Sequence, residues 1–339
     1  MVGGSSIRWL VFLFFALTVD SIAQSIKAID ISFVDELHGW VAEAMPSVFR
    51  TDDGGRTWLR TPVAAKSGFY RICFFDQNTG IAVAHLSDEA MGVFRTEDAG
   101  QTWKIINTIK TPNHEHVVDV TLLSRDAGFL VGEGDRGHVW QFLDGGRALK
   151  EREDLPIDYE KQSNALGVFG DRTGHVWITG KGFILHSADD GKTWANQFAN
   201  ADPGLDMPES GVAVAGGHSW ISAANWEIVG THDYGQHWAR ELSTRDEGNI
   251  NFDSLSFLNS SEGCAVGDSS FIFCTKDGGE TWSRKKVFRP FPKDSLLTIP
   301  SKLFLFSSGH GWANNNGTLY KTEDGGSSFK AVRFSSAPR

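Results

Sequence analysis

The sequence predicts an all-β chain, a single seven-bladed β-propeller built from four-stranded antiparallel blades. Three observations predict it. One eight-residue turn motif occurs seven times, its copies lie one blade-length apart, and the segments between them alternate apolar and polar residues as strands do. The central aspartates are Asp53, Asp98, Asp144, Asp189, Asp233, Asp277 and Asp324, so the spacings are 45, 46, 45, 44, 44 and 47 residues. Chance does not make that series.

The elements repeat in a fixed order. An apolar alternation such as Ile31-Ser32-Phe33 comes first, then a Gly–aromatic step such as Gly39-Trp40, then a short run such as Val48-Phe49-Arg50. The turn motif follows, and its final Trp opens a fourth strand. Thr51 to Trp58 sets the pattern, and Thr96 to Trp103, Ser187 to Trp194 and Thr275 to Trp282 repeat it. Thr231 to Trp238 has His237 in the second Thr slot, Thr322 to Phe329 ends in Phe, and Phe142 to Leu149 keeps only Asp144 and Gly146. Blades are expected at about 26–62, 69–107, 117–150, 164–198, 211–242, 251–287 and 298–334. The Asp is expected to fasten its turn by accepting N–H groups two residues on, and the following Gly to allow positive φ. Trp58, Trp103, Trp194, Trp238 and Trp282 are expected to pack between blades. All these residues read as structural, and none as catalytic.

Composition agrees with that architecture and narrows the function. The 37 Gly among 339 residues suit a chain of many turns, and 40% hydrophobic residues supply a core. With 32 Lys+Arg against 42 Asp+Glu the net charge is −10, which argues against a nucleic-acid binder. Residues 1–23 read as an export signal: Arg8 precedes the apolar run Trp9 to Leu17, and Ser21-Ile22-Ala23 forms a small-x-small cleavage site. Nine apolar residues are too few to span a bilayer of about 30 Å. No Cys follows the run, so the lipoprotein pattern is not expected. The mature chain, 24–339, is read as exported, periplasmic or extracellular, monomeric, and without a membrane span.

Of three cysteines, Cys264 and Cys274 flank a turn around Asp268-Ser269 and are expected to face each other, as a disulfide or as two buried thiols. Cys73 reads as a core thiol. None has metal-site spacing, and no cofactor is expected. His114-Glu115-His116 lacks a third ligand nearby in sequence, so no metal is expected.

The repeated motif resembles the Asp-box, or BNR repeat, Ser/Thr-x-Asp-x-Gly-x-Thr-Trp. Together with strands such as Gly39-Trp40-Val41 and Gly263-Cys264-Ala265-Val266-Gly267, it is similar to the photosystem II stability/assembly factor family of seven-bladed propellers. The resemblance covers about Ile26 to Phe334. It implies a non-enzymatic assembly scaffold with a protein partner, and a thylakoid-lumen location only in a phototroph. Sialidases, xyloglucanases and sortilin-type receptors share the Asp-box, so an exported carbohydrate-binding protein or glycoside hydrolase is the alternative, with a glycan as ligand.

Sialidases carry a Tyr/Phe-Arg-Ile-Pro motif, and Tyr70-Arg71-Ile72-Cys73 matches three of its four positions. It follows the first box instead of preceding it, and it falls in register with the first strands of other blades. Tyr159-Glu160, the sole adjacent Tyr–Glu pair, lies in a loop. No catalytic residue is assigned. Strand order puts the inter-blade loops and the second-to-third hairpins on the face opposite the boxes, which makes that face the expected partner surface. Its candidates are the basic segment with Arg284, Lys285, Lys286, Arg289 and Lys293, read as a loop between blades six and seven, and Trp226. Lys150 to Lys161 forms an acidic counterpart between blades three and four.

Overall fold

The computed structural model describes residues 27–111, 115–134, 136–158, 163–201, 205, 207–289 and 301–334. The export signal at 1–23, His114, Tyr159-Glu160 and Lys293 lie outside the described residues. Seven four-stranded antiparallel sheets form, each with its strands in chain order from the axis outward. Blade 1 shows the pattern: Ala28–Phe33 is innermost, followed by Gly39–Glu43, Ser47–Thr51 and Leu59–Pro62. No helix among the described residues is long and apolar enough to cross a membrane.

Both faces of a blade are covered by neighbours, so middle strands lose the period-two pattern and are buried nearly throughout, with a few polar side chains among the apolar ones. Gly39–Glu43 and Gly263–Gly267 are buried at every position. Outer strands are the reverse, and Ser283–Lys286 is exposed at all four. The Gly–aromatic step has a steric cause. A Cβ on Gly39 would lie 1.9 Å from the Phe33 ring, which closes over the start of the second strand.

The core is divided into seven apolar clusters, one per interface between adjacent blades. Trp40 of blade 1 stacks on Phe74 of blade 2, and Trp220 of blade 5 on Phe257 of blade 6, both with ring centroids 3.5 Å apart. Blade 7 meets blade 1 in the same manner, with Phe33 stacked on Trp312 at 4.6 Å. The Ala28 N–H donates to Gly317 O at 3.0 Å, and Asn314 Nδ2 donates to Ala28 O at 3.2 Å. Among the described residues no strand crosses this seam: Ala28–Phe33 belongs wholly to blade 1 and Lys330–Ala331 to blade 7. Cys264 and Cys274 form a disulfide at directly paired positions of the second and third strands of blade 6.

The boxes fasten their turns over a longer reach than an Asx turn does. Asp53 Oδ1 accepts from the Thr51 hydroxyl and from the Thr57 N–H, each at 2.9 Å, and Oδ2 accepts from the Thr57 hydroxyl at 2.6 Å. The backbone donor is thus four residues on, where the sequence suggested two. Thr51 Oγ1 accepts the Gly55 N–H at 2.7 Å. Gly55, at φ 80, brings the turn against blade 7, where a Cβ would lie 2.2 Å from the Trp312 ring. Asp98, Asp189, Asp277 and Asp324 repeat this geometry, and Asp233 uses His237 Nδ1 in place of a hydroxyl. Asp144 departs from it. It sits at φ 51 at the head of a single 3-10 turn, and its carboxylate lies 3.7 Å from Arg147.

Hydrogen bonds from the Thr281 hydroxyl and N–H hold the Asp277 carboxyl down at about 2. A depressed carboxyl stabilises the fold above its unfolded value, and that contribution is lost as pH falls toward 2. Asp277→Ala is therefore expected to lower the thermal midpoint at pH 7, with less difference from wild type near pH 2, while ligand capture is retained. Parallel melts and capture assays check this, and lost capture with an unchanged midpoint would count against the fastener role.

Candidate functional site

The inner strands begin on the face opposite the boxes, and their first residues converge on the axis. Asp30, Arg71, Asp119, Glu209, Asp253 and Lys302, from six of the seven blades, line a cavity of about 210 Å³ there. Ring closure alone brings them together.

The cavity has two unlike halves. On one side Lys302 Nζ donates to Asp30 Oδ1 at 2.9 Å across the seam. Burial pulls the Lys302 ammonium down, but Asp30 and Asp119 outweigh it and hold the group above its ordinary value. Asp30 Oδ2 accepts the Ile72 N–H at 2.8 Å, and Asp119 Oδ2 accepts the Val168 N–H at 3.0 Å. These carboxylates clamp each inner strand to the next. Burial still pushes the Asp119 carboxyl up, with Lys302 opposing it.

On the other side, among the described residues, no cation contacts Glu209 or Asp253. Asp253 Oδ2 accepts the Ser301 N–H at 2.8 Å, a third clamp, while the Glu209 carboxylate has no hydrogen-bond partner among the described residues. Burial, reinforced by the nearby Asp253 charge, pushes Glu209 up to about 7. Burial pushes Asp253 up to about 6. This half can receive a cation, or hold a proton near neutrality. Neither residue belongs to a motif in the sequence.

Trp226 lies on the same face, at the tip of the second-to-third hairpin of blade 5, half-buried. It has φ 65 beside Asn225 at φ 70. A bulky side chain in the left-handed region is an outlier, and such strain gathers at functional sites. Three contacts hold it: Trp226 O accepts the Thr244 N–H at 2.9 Å and the Thr244 hydroxyl at 3.3 Å, and Arg245 Nε donates to Asn225 O at 3.4 Å. The adjoining Glu227 is buried and ion-paired with Arg240 at 3.1 Å and Arg245 at 3.2 Å. Arg240 and Arg245 went unnoticed in the sequence, although each lies within 20 residues of Trp226.

The basic segment needs correction. Arg284, Lys285 and Lys286 do not sit in an inter-blade loop; they form the exposed outer strand of blade 6, on the rim of the ring. The fourth strand that Trp282 opens therefore includes the first part of the basic segment, and its charges are exposed because neither face of these four residues is covered. Cationic residues also blunt an open sheet edge. Arg284 is engaged by Glu247 at 2.9 Å and lies 4.8 Å over the Phe271 ring. Arg289 is exposed beyond that strand. The acidic counterpart is largely neutralised: Glu151, itself in the outer strand of blade 3, meets Arg136 and His138, and Asp154 meets Arg152 at 2.6 Å.

Arg71, from the partial sialidase motif, is spent on backbone, donating to Val118 O and Tyr70 O. Among the described residues no group of three or more His, Cys, Asp or Glu is placed to hold a metal ion.

Comparison with known proteins agrees with this architecture. The family model described as "Photosynthesis system II assembly factor YCF48" matches residues 15–108, 104–207 and 205–336. A photosystem II assembly lipoprotein Ycf48 of Synechococcus is 33% identical over 34% of this chain and 33% of its own length. The chain thus aligns with about a third of that relative. The Ycf48 of Picosynechococcus is 24% identical over 80% of this chain and 78% of its own. Among solved structures, YCF48 bound to D1 peptide superposes with TM-score 0.62 at 18% identity, covering 88% of this chain and 94% of that one. At that identity the likeness concerns the fold.

Proposed function

This chain belongs to the Ycf48 photosystem II assembly factor family, and on that premise we propose that it is an exported, non-enzymatic propeller that holds a protein partner during assembly. In this reading residues 1–23 direct export, 24–339 form one monomeric propeller, and the partner docks on the face opposite the boxes. The observation that carries the docking face is Trp226, held at positive φ next to Glu227, whose buried carboxylate pairs with Arg240 and Arg245. Aromatic and Arg side chains dominate protein interfaces. Because a YCF48 structure holds a D1 peptide, a D1-derived peptide is the ligand to test first.

Trp226→Gly keeps the left-handed turn without strain and removes the indole. It is expected to weaken capture of that peptide by about tenfold or more, a hot-spot loss. Lys285→Glu with Lys286→Glu is expected to weaken it in a salt-dependent way. Peptide titrations at two salt concentrations check both. Full capture by the Trp226→Gly protein would remove this face, and full capture by the double reversal would remove the rim.

A second reading, an exported glycoside hydrolase, is favoured by one feature: Glu209 and Asp253 are two carboxylates at one cavity, and Glu209 holds its proton near neutrality. Turnover of a glycan array, abolished by Glu209→Gln, would support it over the scaffold.

A further inference from the structure

In four blades a histidine stands at the entry to the second strand, two residues ahead of that strand's Trp: His38, His175, His218 and His310. The position lies on the box face, and each imidazole meets a different partner there. In blades 1 and 7 the partner is a carboxylate, with His38 Nδ1 2.9 Å from Asp35 and His310 Nδ1 3.0 Å from Glu36. In blades 4 and 5 it is a second imidazole.

The blade 4 pair is closed by its surroundings. His175 Nδ1 lies 3.0 Å from His186 Nε2. Gln197 Nε2 donates to Tyr234 O at 2.7 Å, which fixes the amide, and it also donates to His186 Nδ1 at 3.1 Å. His186 therefore carries its proton on Nε2 and spends it on His175.

The blade 5 pair is arranged otherwise. His218 Nδ1 and His232 Nδ1 face each other at 2.8 Å. The far nitrogen of His232, Nε2, lies 3.2 Å from Glu241 Oε1, and the Glu241 side chain is 9% exposed. Whichever atom holds the proton of that contact, a cation on Nδ1 draws it to Nε2, where the carboxylate accepts it. The proton between the two Nδ1 atoms then moves to His218 Nε2 or leaves to solvent. Imidazoles that bind metals characteristically give their second N–H to a carboxylate in this way. The rings are also held: Trp220 lies 6.3 Å from His218 and 5.9 Å from His232, and a Cβ on Gly278 of the next box would lie 3.9 Å from the His232 ring. His232 is still 49% exposed, so an ion can reach the pair.

The spacing selects among ions. With imidazole–metal bonds of about 2.0 Å, nitrogens 2.8 Å apart subtend about 90° at the ion, as neighbouring ligands of a square-planar or tetragonal metal do. A tetrahedral ion such as zinc would need the two nitrogens about 3.3 Å apart.

We infer that His218 and His232 form a surface site for a divalent metal ion of square-planar or tetragonal geometry, copper(II) foremost, with Glu241 positioning His232 from behind. Both ligands are Nδ1 atoms, and the remaining positions are left to water. Copper(II) heads the first-row divalent ions in affinity for nitrogen ligands, and it favours this geometry. The site lies on the opposite face from Trp226, so it stands or falls separately from the proposed docking face.

The test uses the full chain and copper(II) buffered by glycine, followed by calorimetry and by EPR. One copper(II) per chain is expected to bind ahead of any other and to show a tetragonal spectrum split by two nitrogens. His218→Ala and His232→Ala are each expected to weaken that site by about tenfold or more and to remove the two-nitrogen splitting. His186→Ala is expected to leave both readouts as in wild type, and zinc(II) to bind wild type at least about tenfold more weakly than copper(II). Thermal melts establish that each variant is folded, and if one of the two ligand variants is not, the other decides. Unchanged copper(II) affinity in a folded ligand variant overturns the inference, as does loss of the site in a folded His186→Ala protein, or zinc(II) binding as tight as copper(II).

Discussion

Lys302→Met is expected to destabilise the ring by about 3–5 kcal/mol, the cost of leaving buried carboxylates without their cation. Lys302 is the ammonium that Asp30 and Asp119 share at the axis, and Asp30 binds it across the seam. Methionine retains most of the bulk, so the loss reports charge more than packing. Urea unfolding at constant m measures it. Adding Asp30→Asn should recover part of the loss, since one uncompensated charge is then gone. A change below about 1 kcal/mol would mean that solvent in the cavity serves the carboxylates as well as the lysine does.

The opposite half of the cavity should respond in the other direction. Glu209 is pushed up to about 7 in the fold, from an ordinary 4.5. A carboxyl that holds its proton more tightly when folded favours folding at low pH. The ionised form is the disfavoured one, so the penalty grows as pH rises from about 4.5 and is complete above 7. Glu209→Gln removes it. The variant is expected to match wild type near pH 4 and to exceed it by up to about 3 kcal/mol at pH 8. Unfolding curves at pH 4 and pH 8 decide the matter, and parallel pH slopes for the two proteins would sink it.

Blade number, strand order and the turn chemistry were legible because each depends on residues close together in the chain. A box closes through side chains four positions apart, and Gly39 meets Phe33 within one hairpin. The axial cavity is different. Lys302 and Asp30 meet across 272 positions, and the charged residues that line it share no chemistry: Asp30, Arg71, Asp119 and Lys302 hold one register position, while Glu209 and Asp253 lie one residue earlier, at register shifts. A signal was present for four of them, since Asp30, Arg71, Asp119 and Lys302 each immediately precede an apolar run, as Asp119 does in Asp119-Val120-Thr121-Leu122. Superposing the seven repeats would have drawn it out. Trp226 was singled out as an exposed aromatic, but its positive φ has no counterpart in residue identity. Outer strands such as Ser283–Lys286 are marked in the sequence only by the box residue that opens them, because burial is what writes a period into a sequence and these four residues are exposed.

The seam between blades 7 and 1 lacks any exchanged strand, and every sheet is one unbroken stretch of chain. The ring therefore has no privileged starting blade. A circular permutant, with its ends joined by a linker and a new start cut at any of the six inter-blade connections, would still contain seven whole sheets and the same seven packed interfaces. Only the loop-closure entropy would be redistributed, and that term changes slowly with length. By this measure the order in which the blades are written matters far less than their number.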